Sequence, residues 1–136
     1  MPVKKIIYDG IKFDSALECN CYKALIAAGI TFDHHTKHEI FPGFISSITS
    51  FDKDERKGKD MYLSSEKFGS LSYTPDYQAK DYSWFIETKG FLRPEAAMRI
   101  KLFKMKLTQE GSTAHYFMPR NKKHIDQTIE IIKTLQ

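Results

Sequence analysis

The stretch "SYTPDYQAKDYSWFIETKG", residues Ser72–Gly90, decides how the chain is read. Its two apolar segments read as strands at about 71–79 and 83–89. A two-residue loop at Asp81-Tyr82 would set residue 80 opposite 83 and Asp76 opposite Glu87. Two acids facing each other across a strand pair have Cβ atoms roughly 4.5–5.5 Å apart and destabilise the pair. A divalent cation turns that liability into a binding site, and oxygen donors of this kind suit Mg²⁺, with Mn²⁺ as a substitute. Side chains alternate along a strand, so Phe85, Glu87 and Lys89 share one face. The Lys89 ammonium would then stand beside the acids, where it can orient a water or offset charge developing on a phosphate. The plain alternative is a surface salt bridge between Lys89 and one acid, which is common and weak.

Upstream, "DGIKFDSALECNCYKAL" (9–25) contains a second acid in an unexpected place. Asp14 or Ser15 can cap a helix running to about Ala28, with Gly29 as its stop. At 100° per residue, Leu17, Cys21, Tyr22, Leu25, Ile26 and Ala28 fall on one side, and Glu18 lies near the middle of that side. Acids are rarely buried alone. Either the helix is rotated and Glu18 only borders the core, or Glu18 is a buried ion-pair member, or it points into a site holding a cation.

The remaining elements follow from punctuation and periodicity. Lys5–Phe13 reads as a hairpin turning at Asp9-Gly10. "ITFDHHTKHEIF" alternates as one strand. Residues 42–70 form a long polar connection whose centre, "DKDERKGKD", holds four acids and four bases; its flanks "FISSITSF" and "MYLSS" suit a protruding hairpin. Pro94 starts a helix that runs to Glu110 and ends at Gly111. "STAHYFM" is a strand, and Asn121 caps a last helix through Leu135. The order is mixed α/β. It indicates a single domain over 1–136, with an insertion or protruding hairpin at about 42–70.

At 41% hydrophobic residues the chain can bury a core and is no disordered tail. It has no apolar run of membrane-spanning length and no signal-peptide core, so the expected location is intracellular and cytoplasmic, away from membranes. Cys19 and Cys21 diverge on a helix, which fits a reducing compartment. The net charge of +4 is unevenly spread: Lys89–Lys123 carries nine Lys and Arg against two Glu, while residues 1–88 carry eleven basic and thirteen acidic residues. A basic third on a near-neutral body suits DNA, although a solvated helix face gives the same charge pattern.

Pro75-Asp76, ten intervening residues and Glu87-Thr88-Lys89 resemble the signature of the PD-(D/E)XK nuclease superfamily. Glu18 on the first helix resembles the extra acidic ligand of many of these enzymes. The chain resembles phage endonuclease I-like Holliday junction resolvases. It also resembles a group of small phage nucleases that share Gly10-x-x-Phe13-x-Ser15-x-x-Glu18 and Pro75-Asp76-Tyr77…Lys89-Gly90. The likeness covers about residues 8–29 and 71–107. It implies a restriction-endonuclease-like core, a central mixed sheet flanked by helices in αβββαβ order, and an origin in a phage with a bacterial host. Asp76 and Glu87 would bind Mg²⁺, with the Thr88 carbonyl as a further ligand and Glu18 completing the metal set or holding a second ion. Lys89 would orient the attacking water. The products would be a 5′-phosphate and a 3′-hydroxyl.

Other residues are weighed beside this set. Arg93, Arg99, Lys101 and Lys104 follow the catalytic strand and suit phosphates flanking the cut. Arg120, Lys122 and Lys123 start the last helix, where amides and basic side chains suit another phosphate. His34 and His38 would share a strand face that His35 does not, which argues against one joint metal site. Tyr73, Tyr77, Tyr82, Trp84 and Phe85 read as core rather than as base-stacking platforms. On the 94–110 helix, Ala96, Ile100, Phe103 and Leu107 form one apolar face. Met98, Leu102 and Met105 form a second, which needs either the last helix or another subunit. The expected function is a Mg²⁺-dependent DNA endonuclease acting on four-way junctions or other branched DNA, with a homodimer as one arrangement. The alternatives are a transposon-end or nicking nuclease of the same superfamily and a non-catalytic DNA-binding or assembly protein.

Overall fold

The computed structural model describes residues 5–136. Residues 1–4, the start of the stretch scanned for a signal peptide, lie outside the described residues. The fold is mixed α/β, with three helices and several small sheets among the described residues. It divides into two compact units: the chain up to Lys37 together with Thr74–Gln136, and His38–Tyr73.

The first unit opens with a hairpin of β1 (Ile6–Tyr8) and β2 (Ile11–Phe13). Asp9 and Gly10 both have positive φ, 56° and 72°, as a two-residue turn matched to strand twist requires. Helix α1 (Ala16–Ala27) follows, with the Ser15 hydroxyl accepting from Glu18 N–H at 3.1 Å. The core then enters a four-stranded sheet with spatial order β10, β9, β8, β3. Its strands are β3 (Asp33–His34), β8 (Tyr77–Gln78), β9 (Trp84–Ile86) and β10 (His115–Phe117). β3–β8 and β8–β9 are antiparallel; β9–β10 is parallel.

Alternation along β8 and β9 gives the sheet two faces. Tyr77, Trp84 and Ile86 join Leu25, Tyr22 and the Cys19 and Cys21 thiols of α1 in one buried cluster. Ile125, Ile129 and Ile132 of α3 (Lys122–Leu135) complete it. On the other face, Phe85 meets Phe103 of α2 (Pro94–Gln109) edge-on, with ring centroids 5.2 Å apart. Asn121 caps α3 as expected, its side chain accepting from His124 N–H at 2.9 Å. Gly111, at φ 80°, follows the end of α2. The α3 stripe is therefore spent on α1, while Met98 and Met105 of α2 stay about half exposed. Of the two partners considered for the second α2 face, the last helix is ruled out.

The second unit contains β4 (His38–Phe41), β5 (Phe44–Lys53), β6 (Met61–Phe68) and β7 (Leu71–Tyr73). β4 and β7 pair antiparallel, with a bulge between Glu39 and Phe41. β5 and β6 form the long hairpin read in 42–70, paired from Phe44 opposite Phe68 to Lys53 opposite Met61. Asp54 accepts from Arg56 N–H at the start of the 3₁₀ turn Glu55–Lys57 between them.

Four expectations need correction. "ITFDHHTKHEIF" is two strands, because His35 takes a left-handed backbone (φ 57°) and breaks the alternation. The 71–79 strand is likewise two, β7 in one unit and β8 in the other. The hairpin loop is wider than Asp81-Tyr82: Ala79 N–H bonds Trp84 O, Tyr82 N–H bonds Ala79 O, and Tyr82 sits at φ 63°. Tyr82 and Ile26, both assigned to the core, are more than half exposed. Tyr82 is at the loop tip, and α1 is turned so that its buried stripe centres on Glu18, Cys21, Tyr22 and Leu25.

Phe103 is 1% exposed and carries the contact between α2 and the sheet. Phe103→Ala is expected to lower the unfolding free energy by about 3–5 kcal/mol. Urea denaturation followed by circular dichroism checks this; a loss under about 1 kcal/mol would mean the α2 face is not a packed core.

Candidate functional site: three carboxylates and two histidines at one end of the sheet

The wider loop leaves the decisive register intact. Tyr77 pairs with Ile86 and Gln78 with Phe85, so the next positions outward are Asp76 and Glu87. Across the other edge of β8, His34 pairs with Tyr77, and His35 N–H bonds Asp76 O at 3.0 Å. His35, Asp76 and Glu87 thus stand side by side on three adjacent segments at one end of the sheet. Beyond β9 the extended pairing continues: Glu87 N–H bonds Phe117 O and Lys89 N–H bonds Pro119 O, at 2.9 and 3.4 Å. Parallel pairing repeats every second residue, so Glu87 and Lys89 share a face. Glu87 is buried and Lys89 half-buried.

Asp76 is fixed from two sides. Its Oδ2 accepts from Thr88 N–H (2.8 Å) and from the Thr88 hydroxyl (2.6 Å). Its Oδ1 lies 3.7 Å from His35 Nε2, an ion-pair separation. Burial works against ionising Asp76, but hydrogen bonding to His35 and to both Thr88 donors, with a smaller contribution from a hydrogen bond with the Glu87 carboxyl, outweighs it and holds its carboxyl below the ordinary range.

Glu18 is 3% exposed and at the centre of the buried stripe of α1, so it does not merely border the core. One oxygen, Oε2, accepts from Asp14 N–H at 3.1 Å, and so helps to cap its own helix. The other, Oε1, faces two imidazoles, His34 Nε2 at 3.1 Å and His35 Nε2 at 2.7 Å. Tyr77 stacks on His34 (4.8 Å, 11°) and donates its hydroxyl to the Glu18 carbonyl at 2.8 Å. The two imidazoles stack at 3.8 Å. Asp76 raises the His35 pKa most, partial burial pulls it back, and Glu18 adds to the rise, which takes it from 6.5 to about 9. Burial, then Asp76 and Glu18, push the Cys21 thiol up to about 12. That thiol stays neutral within the core cluster.

The site therefore gathers Glu18, Asp76, Glu87 and Thr88, and adds two residues that strand alternation had separated. His34 and His35 point the same way because the left-handed backbone at His35 reverses the expected flip. Histidine is one of the residue types enriched at positive φ, and that is the signal the adjacent pair carried. His38 lies in the other unit. Three buried or largely buried carboxylates at one end of a sheet are a donor set that fits a divalent cation.

The basic residues divide into groups within the same unit. Arg93 is the exposed N-cap of α2, Arg99 pairs with Glu95 at 3.5 Å, and Lys101 is exposed. Lys104 lies 4.3 Å over the Tyr116 ring, a cation–π contact. Arg120, Lys122 and Lys123 are exposed around the first turn of α3. No helix among the described residues is long and apolar enough to cross a membrane.

A family model described as "Protein of unknown function (DUF1064)" matches residues 2–124. The chain belongs to that family. The match spans both units and every residue of the site. No curated protein and no solved structure matches the chain.

A His35 pKa raised from 6.5 to about 9 sets a sign for stability against pH in the metal-free protein. The folded state holds the proton more tightly, so the stabilisation is complete below about 6.5 and is lost as pH rises through about 9. The ring is 40% exposed, so the effect is screened and modest. Thermal melts from pH 6 to 10 should show this decline in the wild type and a flatter profile in His35→Asn. Identical profiles would mean that His35 does not hold the extra proton.

Proposed function

We propose that the protein is a divalent-metal-dependent DNA endonuclease with a restriction-endonuclease-like core, acting on four-way junctions or other branched DNA. The observation that carries this reading is the β8–β9 register, which sets Asp76 opposite Glu87 with Lys89 on the same face as Glu87. Element order supports it. Without its opening hairpin, the first unit reads α1, β3, β8, β9, α2, β10, α3. That is the αβββαβ order with one further helix, the second unit being inserted between β3 and β8.

Asp76 and Glu87 would hold a Mg²⁺ ion, Glu18 would complete the acidic set, and the Thr88 carbonyl is the backbone donor nearest in sequence. When bound, the ion supplies positive charge for the non-bridging and leaving oxygens and makes hydroxide more available near neutral pH. The chain's own groups do the rest. Thr88 locks Asp76 in one rotamer through two hydrogen bonds. Lys89 presents an ammonium that orients the attacking water and offsets phosphate charge. Arg93, Arg99, Lys101 and Lys104 would grip phosphates on one side, and Arg120, Lys122 and Lys123 on the other. Two cuts across a four-way junction are most simply made by two symmetry-related sites, and the exposed Met98 and Met105 of α2 offer a face for a second copy.

Labelled four-way junction, flap, linear duplex and single strand, incubated with Mg²⁺, Mn²⁺ or EDTA, test the reading. Cleavage should need metal and favour branched DNA. Asp76→Ala and Glu87→Ala should each lower the rate by at least about 100-fold while DNA binding is kept or tightened. Lys89→Ala should lose cleavage but still bind metal, and Lys89→Arg should not restore it, because a planar guanidinium cannot replace a compact ammonium. Near wild-type cutting by either acid variant would remove the catalytic assignment. Metal-independent binding without cleavage would leave a DNA-binding or assembly protein. Equal cutting of linear duplex by a monomer would remove the junction and dimer assignments.

A further inference from the structure

We infer that Glu18, His34 and His35 form a nitrogen-bearing metal position of their own, beside the Asp76–Glu87 acids, that takes a divalent first-row transition ion in preference to Mg²⁺. The inference rests on the nuclease reading for the use made of the ion, not for its binding.

The geometry is that of converging ligands. His34 Nε2, His35 Nε2 and a Glu18 oxygen all lie within 4.8 Å of one another. Ligands about 2.1 Å from a common ion sit roughly 3.0 Å apart at right angles and about 3.4 Å apart in a tetrahedron. The two nitrogen–oxygen separations, 3.1 and 2.7 Å, are close to that spacing. Asp76 Oδ1, 3.7 Å from His35 Nε2, is a fourth donor within reach. The ligands are also held in place. Asp14 N–H fixes the Glu18 carboxylate, Tyr77 stacks on His34, and the His35 backbone is tied to the Asp76 carbonyl. Rotamers locked by such outer contacts are what a binding site needs.

Charge points the same way. Both imidazoles aim their Nε2 atoms at a single carboxylate oxygen. In the metal-free protein Nε2–H donors satisfy that oxygen; with the ring protons on Nδ1 instead, the same two nitrogens offer lone pairs to a cation beside it. One divalent ion answers the carboxylate and accepts both lone pairs. Imidazole suits Mn²⁺, Co²⁺, Ni²⁺ and Zn²⁺ better than Mg²⁺, which keeps to oxygen and water.

The test uses the full chain without DNA, with Co²⁺, Mn²⁺ and Mg²⁺ as probes. Calorimetry should give tighter binding for Co²⁺ than for Mg²⁺. His34→Asn and His35→Asn should each weaken Co²⁺ by about tenfold or more and Mg²⁺ by less. Pulsed electron paramagnetic resonance of the wild-type Mn²⁺ complex should show coupling to imidazole ¹⁴N, a readout that needs no variant to fold. Absence of nitrogen coupling, or Co²⁺ affinity indifferent to both histidines, would overturn the site and leave the pair as counter-charges for Glu18. Cleavage assays separate the two readings. Mg²⁺-dependent cutting without nitrogen coupling sinks this inference alone, and nitrogen coupling without cutting sinks the nuclease alone.

Discussion

The constraint on which the site depends is a carboxylate buried in the first turn of a helix. Glu18 occupies the centre of the α1 stripe that packs on the sheet, a position that favours an apolar side chain. A buried acid must be neutralised or multiply hydrogen-bonded. Here one oxygen is taken by Asp14 N–H, just ahead of the helix, and the other by two histidines. That requirement explains why β3 stops at His34 and the chain turns left-handed at His35. A continued strand would send the His35 ring to the opposite face. The cost of positive φ at a non-glycine residue, about 1–2 kcal/mol, is set against the larger cost of leaving Glu18 and Asp76 without positive charge nearby.

That one turn also connects the acids of the helix to those of the sheet. His35 touches Glu18 and Asp76, and Asp76 is bonded to Thr88, next to Glu87. Carboxylates from α1, the start of β8 and the end of β9 are therefore members of one polar network. Such a network is costly if any member is left unsatisfied. Cation binding, as proposed, would use all of them at once.

What could be read from the sequence was whatever depended on short-range chemistry. The Asp9-Gly10 turn, the Ser15 and Asn121 caps, the Pro94 start and the Gly111 stop are each set by a residue and its immediate neighbours. The register that opposes Asp76 to Glu87 was also legible, though for a partly wrong reason. A four-residue loop closed by Ala79 and Trp84 keeps the same pairing as a two-residue loop closed by residues 80 and 83. Less legible were the features decided by tertiary contact. Glu18 could be placed on the apolar side of its helix, but its burial depends on what faces it. Period-two alternation separated His34 from His35 because it assumes an unbroken strand. Tyr82 looked like core because aromatic residues are common in strands; at a loop tip that preference has nothing to act on.

The same logic explains how the site can coexist with a 36-residue unit placed between β3 and β8. The chain enters that unit at His38 and leaves at Tyr73, and these two residues are paired in the β4–β7 ladder. An insertion whose ends are joined by its own hydrogen bonds imposes little on the strands before and after it, and a longer closed loop adds only slowly to the entropic cost. Inside the unit, β5 and β6 expose Phe44, Ile45, Ile48, Phe51 and Leu63. A two-stranded ribbon with so little buried apolar surface draws its stability mainly from its own cross-strand pairs. The catalytic proposal requires rigidity at one end of the four-stranded sheet, where buried Tyr77, Phe85 and Ile86 supply it. It places no such demand on the ribbon. The division of the chain into two units thus follows the division between residues that must be held in place and residues that need not be.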